Sequence, residues 1–303
     1  YLIVYICILA FLMWPAVSIA QDTGKEADKV FNAKSFTLEN GLQVVLVENH
    51  RAPIVSHMMW YRVGGADDPL GHSGLAHMFE HIMFRGSENV PPGEYSKRIR
   101  ALGGEDNAFT SYDYTAYYAN IASEYLEDVM RMEADRIQGL VIDGAEFASE
   151  QKVVMEERRL RTDDKPTSLA YERFTAAAYV SSGYHNPVIG WMHDLQNLKP
   201  EDVRHWYRRW YVPNNAILVV VGDVKAPQVF ELAARYFGPI PKGEVPKRPL
   251  NQEVAGIGER RVEVAVPARI DTLFVGYNVP GINTAEDETD VYALRMLAGV
   301  LDG

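Results

Sequence analysis

Cysteine is nearly absent from this chain of 303 residues: the single one is Cys7. It lies in an N-terminal stretch that reads as a cleavable signal. None then remains to form a disulfide or to serve as a thiol nucleophile. Glycine-rich phosphate loops of the P-loop or dinucleotide type are missing, and so is the G-x-S-x-G turn of serine hydrolases. Positive charge is in deficit, with 30 Lys and Arg against 41 Asp and Glu and a net charge of -11. That balance argues against nucleic acid or an anionic membrane surface as the main partner. What the chain does have is apolar material, 47% of its residues, enough for a core without covalent staples.

Charge is lacking altogether from residues 1–20, which are mostly Leu, Ile, Val, Ala and aromatics and end in Ser18-Ile19-Ala20 before polar Gln21-Asp22. Small residues at these positions suit a signal peptidase. A secretory signal over 1–20 is therefore expected, with its initiating methionine and basic leader upstream of Tyr1. A membrane anchor through 1–20 is the alternative, but the stretch would barely span a bilayer, and Pro15 with Ser18 favours cleavage. After cleavage no stable span is expected. Export without cysteine points to a bacterial periplasm.

One short stretch carries chemistry. In His77-Met78-Phe79-Glu80-His81, a 3.6-residue helix places His77, Glu80 and His81 within an arc of roughly 100°. Leu75, Met78, Phe79, Ile82 and Met83 take the other directions, so the helix is apolar except where these three point. Burying two histidines and a glutamate without partners costs several kcal/mol. A divalent metal with its water would partner all three. Satisfied core polar residues are the plainer alternative, but an accidental H-x-x-E-H match is expected on the order of once in a hundred chains of this composition. This order of residues is that of the inverted zincins.

Catalytic zinc takes three protein ligands and leaves one position to water, so a further ligand must come from elsewhere. Residues 146–161 read as a helix containing Glu156 and Glu157. Glu156 has Lys152 and Arg159 at helical spacing, the pattern of a solvated face. Glu157 has Val153, Val154 and Leu160 as neighbours, and a carboxylate on an apolar stripe needs a partner, either a metal or Arg161. Glu150, seven residues earlier, falls near the same stripe. It is either an acid that orients a metal-bound imidazole or an ordinary surface charge.

With these residues in view the chain resembles the pitrilysin family of zinc metallopeptidases, close to the mitochondrial processing peptidase beta subunit and its bacterial relatives. Gly74-Leu75-Ala76 leads into the motif and Phe84-Arg85-Gly86-Ser87 follows it. The run from Gly103 to Ser111, the segment from Glu150 to Glu157, and Pro213-Asn214-Asn215-Ala216 before Val219 to Asp223 resemble further family blocks. The likeness covers roughly residues 35–300. It implies a zinc endopeptidase with one Zn2+ per catalytic domain, His77, His81 and Glu157 as ligands, Glu80 as general base and Glu150 as supporting acid. The 76 positions between His81 and Glu157 fit the family. It further implies that Asn107 and Ala108 lie on a strand whose edge takes the peptide as an added strand; as a residue type, an asparagine after Asp106 is more often a turn former. Peptides are the implied partners, and a second pitrilysin-like subunit in a homodimer or heterodimer is left open. A non-catalytic subunit kept for assembly is the alternative; such relatives usually lack the metal motif. A metal-binding protein without turnover would have no use for Glu80.

The implied fold class is α+β, a mostly antiparallel sheet flanked by helices, followed by the truncated start of a second similar domain. Phe36–Val47 reads as a hairpin turning at Glu39-Asn40-Gly41, and 54–63, 105–111 and 115–122 as strands. The metal helix is expected to stop at Gly86. Further helices are expected at 93–102, from 123 onward, at 168–179, 198–210 and 226–237, with a central strand at 216–221. Pro239, Pro241, Gly243, Pro246 and Pro249 punctuate a linker. The expected units are the signal at 1–20, a catalytic domain at 21–245, and linker plus incomplete second domain at 246–303, with strands at 260–266 and 272–279 and a helix at 285–300. His72 beside Ser73 reads as a helix-start feature rather than a catalytic pair, and His57, His185, His193 and His205 lack ligand spacing and are assigned structural or surface roles.

Overall fold

The computed structural model describes residues 31–248, 253–254, 258–282 and 284–302. The expected signal, with Cys7, and part of the expected linker lie outside the described residues. Alternating apolar and polar positions set the sheet, because successive side chains of a strand point to opposite faces. Strand β1 (Lys34–Thr37) turns into β2 (Gln43–Glu48), and β3 (Ile54–Tyr61) follows. Helices α1 (Leu75–Ile82) and α2 (Glu94–Ala101) precede the hairpin of β4 (Glu105–Thr110) and β5 (Thr115–Ala122). Then come α3 (Leu126–Gly139), α4 (Gly144–Arg158), α5 (Pro166–Ala178), α6 (Met192–Asn197) and α7 (Pro200–Trp210). Strand β6 (Ala216–Gly222), α8 (Ala226–Tyr236) and α9 (Glu288–Asp302) complete the order.

The six strands form one sheet in the order β1-β2-β6-β3-β5-β4. Only β2 and β6 pair in parallel; every other pairing is antiparallel. The mostly antiparallel sheet flanked by helices is thus observed. The apolar run at 216–221 does become a central strand, between β2 and β3. One face of the sheet, with Val44, Leu46, Met59, Tyr61, Tyr117, Ala119, Leu218 and Val220, is buried in a single core with α3, α7 and α8. Each large apolar side chain taken fully out of water there contributes about 1.5–3 kcal/mol. The position of β4 matters most for function, since it is an edge strand with β5 on one side only.

Three expectations change. Helix α1 ends at Ile82 rather than running to Gly86: the Phe84 and Arg85 amides donate to His81 O and Ile82 O, closing a tighter turn. Helix α4 ends at Arg158 and widens into a π-helical turn over Arg159–Asp163. Residues 260–266 and 272–279 form no ladder. Their alternating sequence suits a strand, but a strand exists only through pairing with a neighbour, and among the described residues none is laid beside them. Leu273, Val275 and Tyr277 are accordingly exposed. No helix among the described residues is long and apolar enough to cross a membrane.

Candidate metal centre

Helix α1 is held by three independent contacts. The Asp68 carboxylate accepts from the amides of Gly74 (2.7 Å) and Ala76 (2.9 Å), satisfying donors that a helix start leaves without intrahelical partners. Gly74 at the helix entry has φ +84°, and a Cβ there would stand 2.7 Å from Ile189 O and 2.8 Å from Gly190 Cα. Gly190 is in turn fixed through its carbonyl by buried Arg158 (2.7 Å), whose guanidinium also grips Glu172 with two hydrogen bonds of 2.8 and 3.0 Å. On the inner side Phe79 packs on Tyr211 and Tyr207, with ring centroids 4.2 and 5.8 Å away. So fixed, α1 presents His77, Glu80 and His81 outward to a cleft of about 610 Å3.

Helix α4 starts at Asp143, whose carboxylate accepts from Ala145 N and Glu146 N, and brings two carboxylates to the histidines. Glu157 Oε2 lies 3.3 Å from His81 Nε2 and 3.7 Å from His77 Nε2, while Glu157 Oε1 is held 2.9 Å from Arg161. Glu157 thus turns one oxygen to the two histidines and the other to Arg161, one of the two partners left open by the sequence. Glu150, almost fully buried, accepts at Oε2 from His81 Nδ1 (3.1 Å) and pairs through Oε1 with Arg85. It is not a surface charge. The apolar-stripe argument for Glu157 fails in detail, because Val153 and Leu160 are exposed and only Val154 of the three is buried. Glu156 does pair with Arg159 on a solvated face.

The three donor atoms His77 Nε2, His81 Nε2 and Glu157 Oε2 suit zinc. Bonds of about 2.0–2.2 Å in a tetrahedron put ligand atoms about 3.3 Å apart, near the observed separations, and the three lie within 4.8 Å of one another. With His81 Nδ1 donating to Glu150, Nε2 is the nitrogen that faces Glu157, the arrangement expected of a metal-bound imidazole. His77 Nδ1, by contrast, is buried with no partner among the described residues.

Burial, and then the neighbouring His81 charge, lowers the His77 pKa to about 4, so it stays neutral and able to ligate. Burial pulls His81 the same way, but its hydrogen bonds to Glu150 and Glu157 outweigh this and raise it to about 9. Glu157 is lowered by its bond to His81 against burial. Glu80 is raised by burial, partly countered by a hydrogen bond donated from Thr110 Oγ1 at 2.5 Å. A carboxylate in such surroundings is a stronger proton acceptor than one in water.

The wall opposite α1 is β4, from which Asp106 to Thr110, five consecutive residues, line the cleft. Since side chains alternate, such a run means that the backbone edge itself faces the cavity. The hairpin is closed by Ser111 N donating to Tyr114 O, and hydrogen-bonded pairs recur at every second position. With the observed register, Asn107 and Phe109 spend their amides and carbonyls on β5, whereas Asp106, Ala108 and Thr110 turn theirs outward. The Ala108 amide donates to the Asn107 side chain at 2.9 Å. Ala108 therefore offers backbone to the cleft, and Asn107 only a side chain. Thr110, Asp68 and Arg85 were given no role by sequence reasoning. The signal for Thr110 was its even spacing from Ala108 along the strand, which puts it on the same edge.

Comparison with known proteins places the chain in one family. The insulinase model of peptidase family M16 matches residues 43–190, and the model described as the M16 inactive domain matches residues 197–303. The zinc protease PqqE of Helicobacter pylori is 35% identical over 271 residues, which are 88% of this chain and 61% of that protein. A solved protease from Helicobacter pylori superposes with a TM-score of 0.70 at 37% identity, over 73% of this chain and 53% of that one. The first half of the periplasmic protease PqqL from Escherichia coli gives 0.67 at 26%, over 74% and 49%. The chain belongs to peptidase family M16, the pitrilysin-like zinc peptidases, and spans about half to three fifths of the length of these relatives. The two family models meet near residue 195, yet β6, beyond that point, is inserted between β2 and β3.

Proposed function

We propose that the protein containing this chain is a zinc-dependent endopeptidase that cleaves peptides or processing segments laid along β4. The observation that carries this reading is the convergence of His77 Nε2, His81 Nε2 and Glu157 Oε2 from two helices, with Glu80 beside them but outside the donor set. Zinc, when bound by these three residues, supplies Lewis acidity and makes a water acidic near neutral pH.

Each remaining role falls to a residue of the chain. Glu80, raised by burial and steadied by Thr110, takes a proton from the attacking water and returns one to the leaving amine. Glu150 fixes the His81 ring and its tautomer, with Arg85 holding the far oxygen of that carboxylate. The outward groups of Ala108, flanked by Asp106 and Thr110, pair with the peptide backbone, which gives affinity with little demand on sequence. Residues 21–245 are the unit we assign to catalysis. An exported, periplasmic setting is our reading of the N-terminal residues and of the periplasmic protease among the structural relatives.

The test uses the full-length protein and Glu80→Gln. Both are expected to bind one zinc ion per catalytic domain by metal analysis. The wild type should digest an unstructured peptide in a chelator-sensitive manner, and the variant should lose at least the roughly 100- to 10,000-fold that a general base contributes. A zinc-loaded Glu80→Gln protein with undiminished turnover would remove Glu80 from the mechanism.

A further inference from the structure

Arg248 lies in the stretch read as linker, between Pro246 and Pro249, yet every nitrogen of its guanidinium is bound to one of two turns that lead to the metal cleft. Nε and Nη2 meet the two oxygens of Asp67, each at 2.7 Å, in the paired geometry a guanidinium forms with a carboxylate. Nη1 donates to Asp113 O at 3.2 Å and Nη2 to Asp113 Oδ1 at 3.3 Å. The Asp67 side chain is only 5% exposed, and a carboxylate so nearly out of water needs a cation beside it.

The two turns serve opposite walls of the cleft. Asp67 adjoins Asp68, whose carboxylate caps the start of α1, and Asp67 Oδ2 accepts from Gly64 N at 2.9 Å. Asp113 lies in the turn that follows β4, just beyond Thr110, whose hydroxyl bonds Glu80. Between the turns the backbones touch. The amides of Gly65 and Ala66 donate to Ser111 O and Tyr112 O, each at 2.9 Å, and a Cβ at Gly64 would stand 2.3 Å from Ser111 O. Neutral amide bonds of this kind are individually weak, whereas the fork of Arg248 on Asp67 joins two full charges and is the stronger tie. The ladder between β4 and β5 does not depend on it. What Arg248 adds is a fixed separation between that hairpin and the entry to the metal helix.

We propose that Arg248 is a positioning residue for the reaction: by tying Asp67 to Asp113 it sets how far the β4 edge stands from Glu80 and the metal ligands. The proposal rests on the peptidase reading above, and it extends the residues needed for turnover past 245 into the linker. Lysine replaces Arg248 only in part, because an ammonium is a point charge on a flexible stem and lacks the planar fork.

The test is made on the full-length protein with zinc added. Hydrogen exchange over residues 62–68 and 109–116 is followed together with kcat and KM for one unstructured peptide. In Arg248→Met both segments should exchange about tenfold faster or more, as a local opening, while β3 and β6 keep wild-type protection. Its kcat/KM should fall by about 10- to 100-fold, the loss that follows a misplacement near 1 Å. Arg248→Lys should lie between wild type and Arg248→Met in both readings, and Lys247→Met, at an exposed neighbour, should match wild type. Asp113→Asn, at a side chain 44% exposed, should show a smaller loss in the same two segments, and decides the matter by the same readings if Arg248→Met does not fold. Unchanged exchange in these segments, unchanged kcat/KM while they open, or faster exchange spread evenly along the chain overturns the positioning role alone. A wild type that cleaves no peptide would sink the peptidase reading, and this role with it.

Discussion

Gly74 and Gly93 stand at the entries of α1 and α2 with nearly the same backbone, φ +84° and +73°, and this pair separates conformational strain from packing. An alanine at either position is forced into the left-handed region, at about 1–2 kcal/mol. At Gly93 nothing lies within 4 Å of the added Cβ, whereas at Gly74 it would meet Ile189 O at 2.7 Å and Gly190 Cα at 2.8 Å. Those are backbone atoms, and Arg158 and Asp194 hold that loop from behind through Gly190 and Ser73. The loop has little freedom to yield, so overpacking adds about 1–3 kcal/mol at Gly74 alone. For a folded unit of this size each kcal/mol moves Tm by about 2–4 °C. Thermal unfolding in excess chelator, which removes any stabilisation by bound metal, should therefore show Gly93→Ala down by about 2–8 °C and Gly74→Ala by roughly twice that. Displacing α1 also moves both imidazoles, so zinc affinity, read by competition with a chromophoric chelator, should fall by about tenfold or more in Gly74→Ala and stay unchanged in Gly93→Ala. If Gly74→Ala matched Gly93→Ala in both measurements, the claim that this close approach sets the metal helix would be refuted.

Two further outcomes follow from the same geometry. Ala108→Pro removes an amide that β5 does not use, which an edge strand tolerates, so it should raise KM for peptides while zinc content and Tm stay at wild-type values; an unaltered KM would dismiss strand addition along β4. His57, buried on β3, is pushed down to about 4 by burial, with Glu133 acting to raise it and Arg136 to lower it. Between pH 6.5 and 4 the unfolded chain takes this proton and the folded chain does not, so about 3 kcal/mol of stability is lost as pH falls through that window. Urea unfolding of wild type minus His57→Gln across this range should reveal that slope, and parallel curves would contradict it.

Much of the fold was open to sequence reading because its signals are local. The hairpins at Asn40-Gly41 and at 111–114, the apolar run of β6 and the helical spacing in α1 depend only on neighbours a few residues apart. The strands expected at 260–266 and 272–279 show the limit of that reasoning, since alternation states a preference and pairing needs a second edge. Glu157 shows another limit: its apolar neighbours Val153 and Leu160 proved exposed, and its position is explained by the histidines it faces. Thr110 reaches Glu80 across 30 positions, and no short window contains such a contact.

What the sequence determined unaided was the row of His77, Glu80 and His81 on one side of one helix, because 3.6 residues per turn is a property of the backbone itself. Which carboxylates reach the two histidines, and which edge of the sheet faces them, were decided by packing. Helix α4 has to seat against α1 before Glu157 and Glu150 can reach imidazoles more than sixty positions earlier in the chain. The burial that follows is what shifts Glu80 and His77 from their solution behaviour, and burial is a property of the assembled molecule alone.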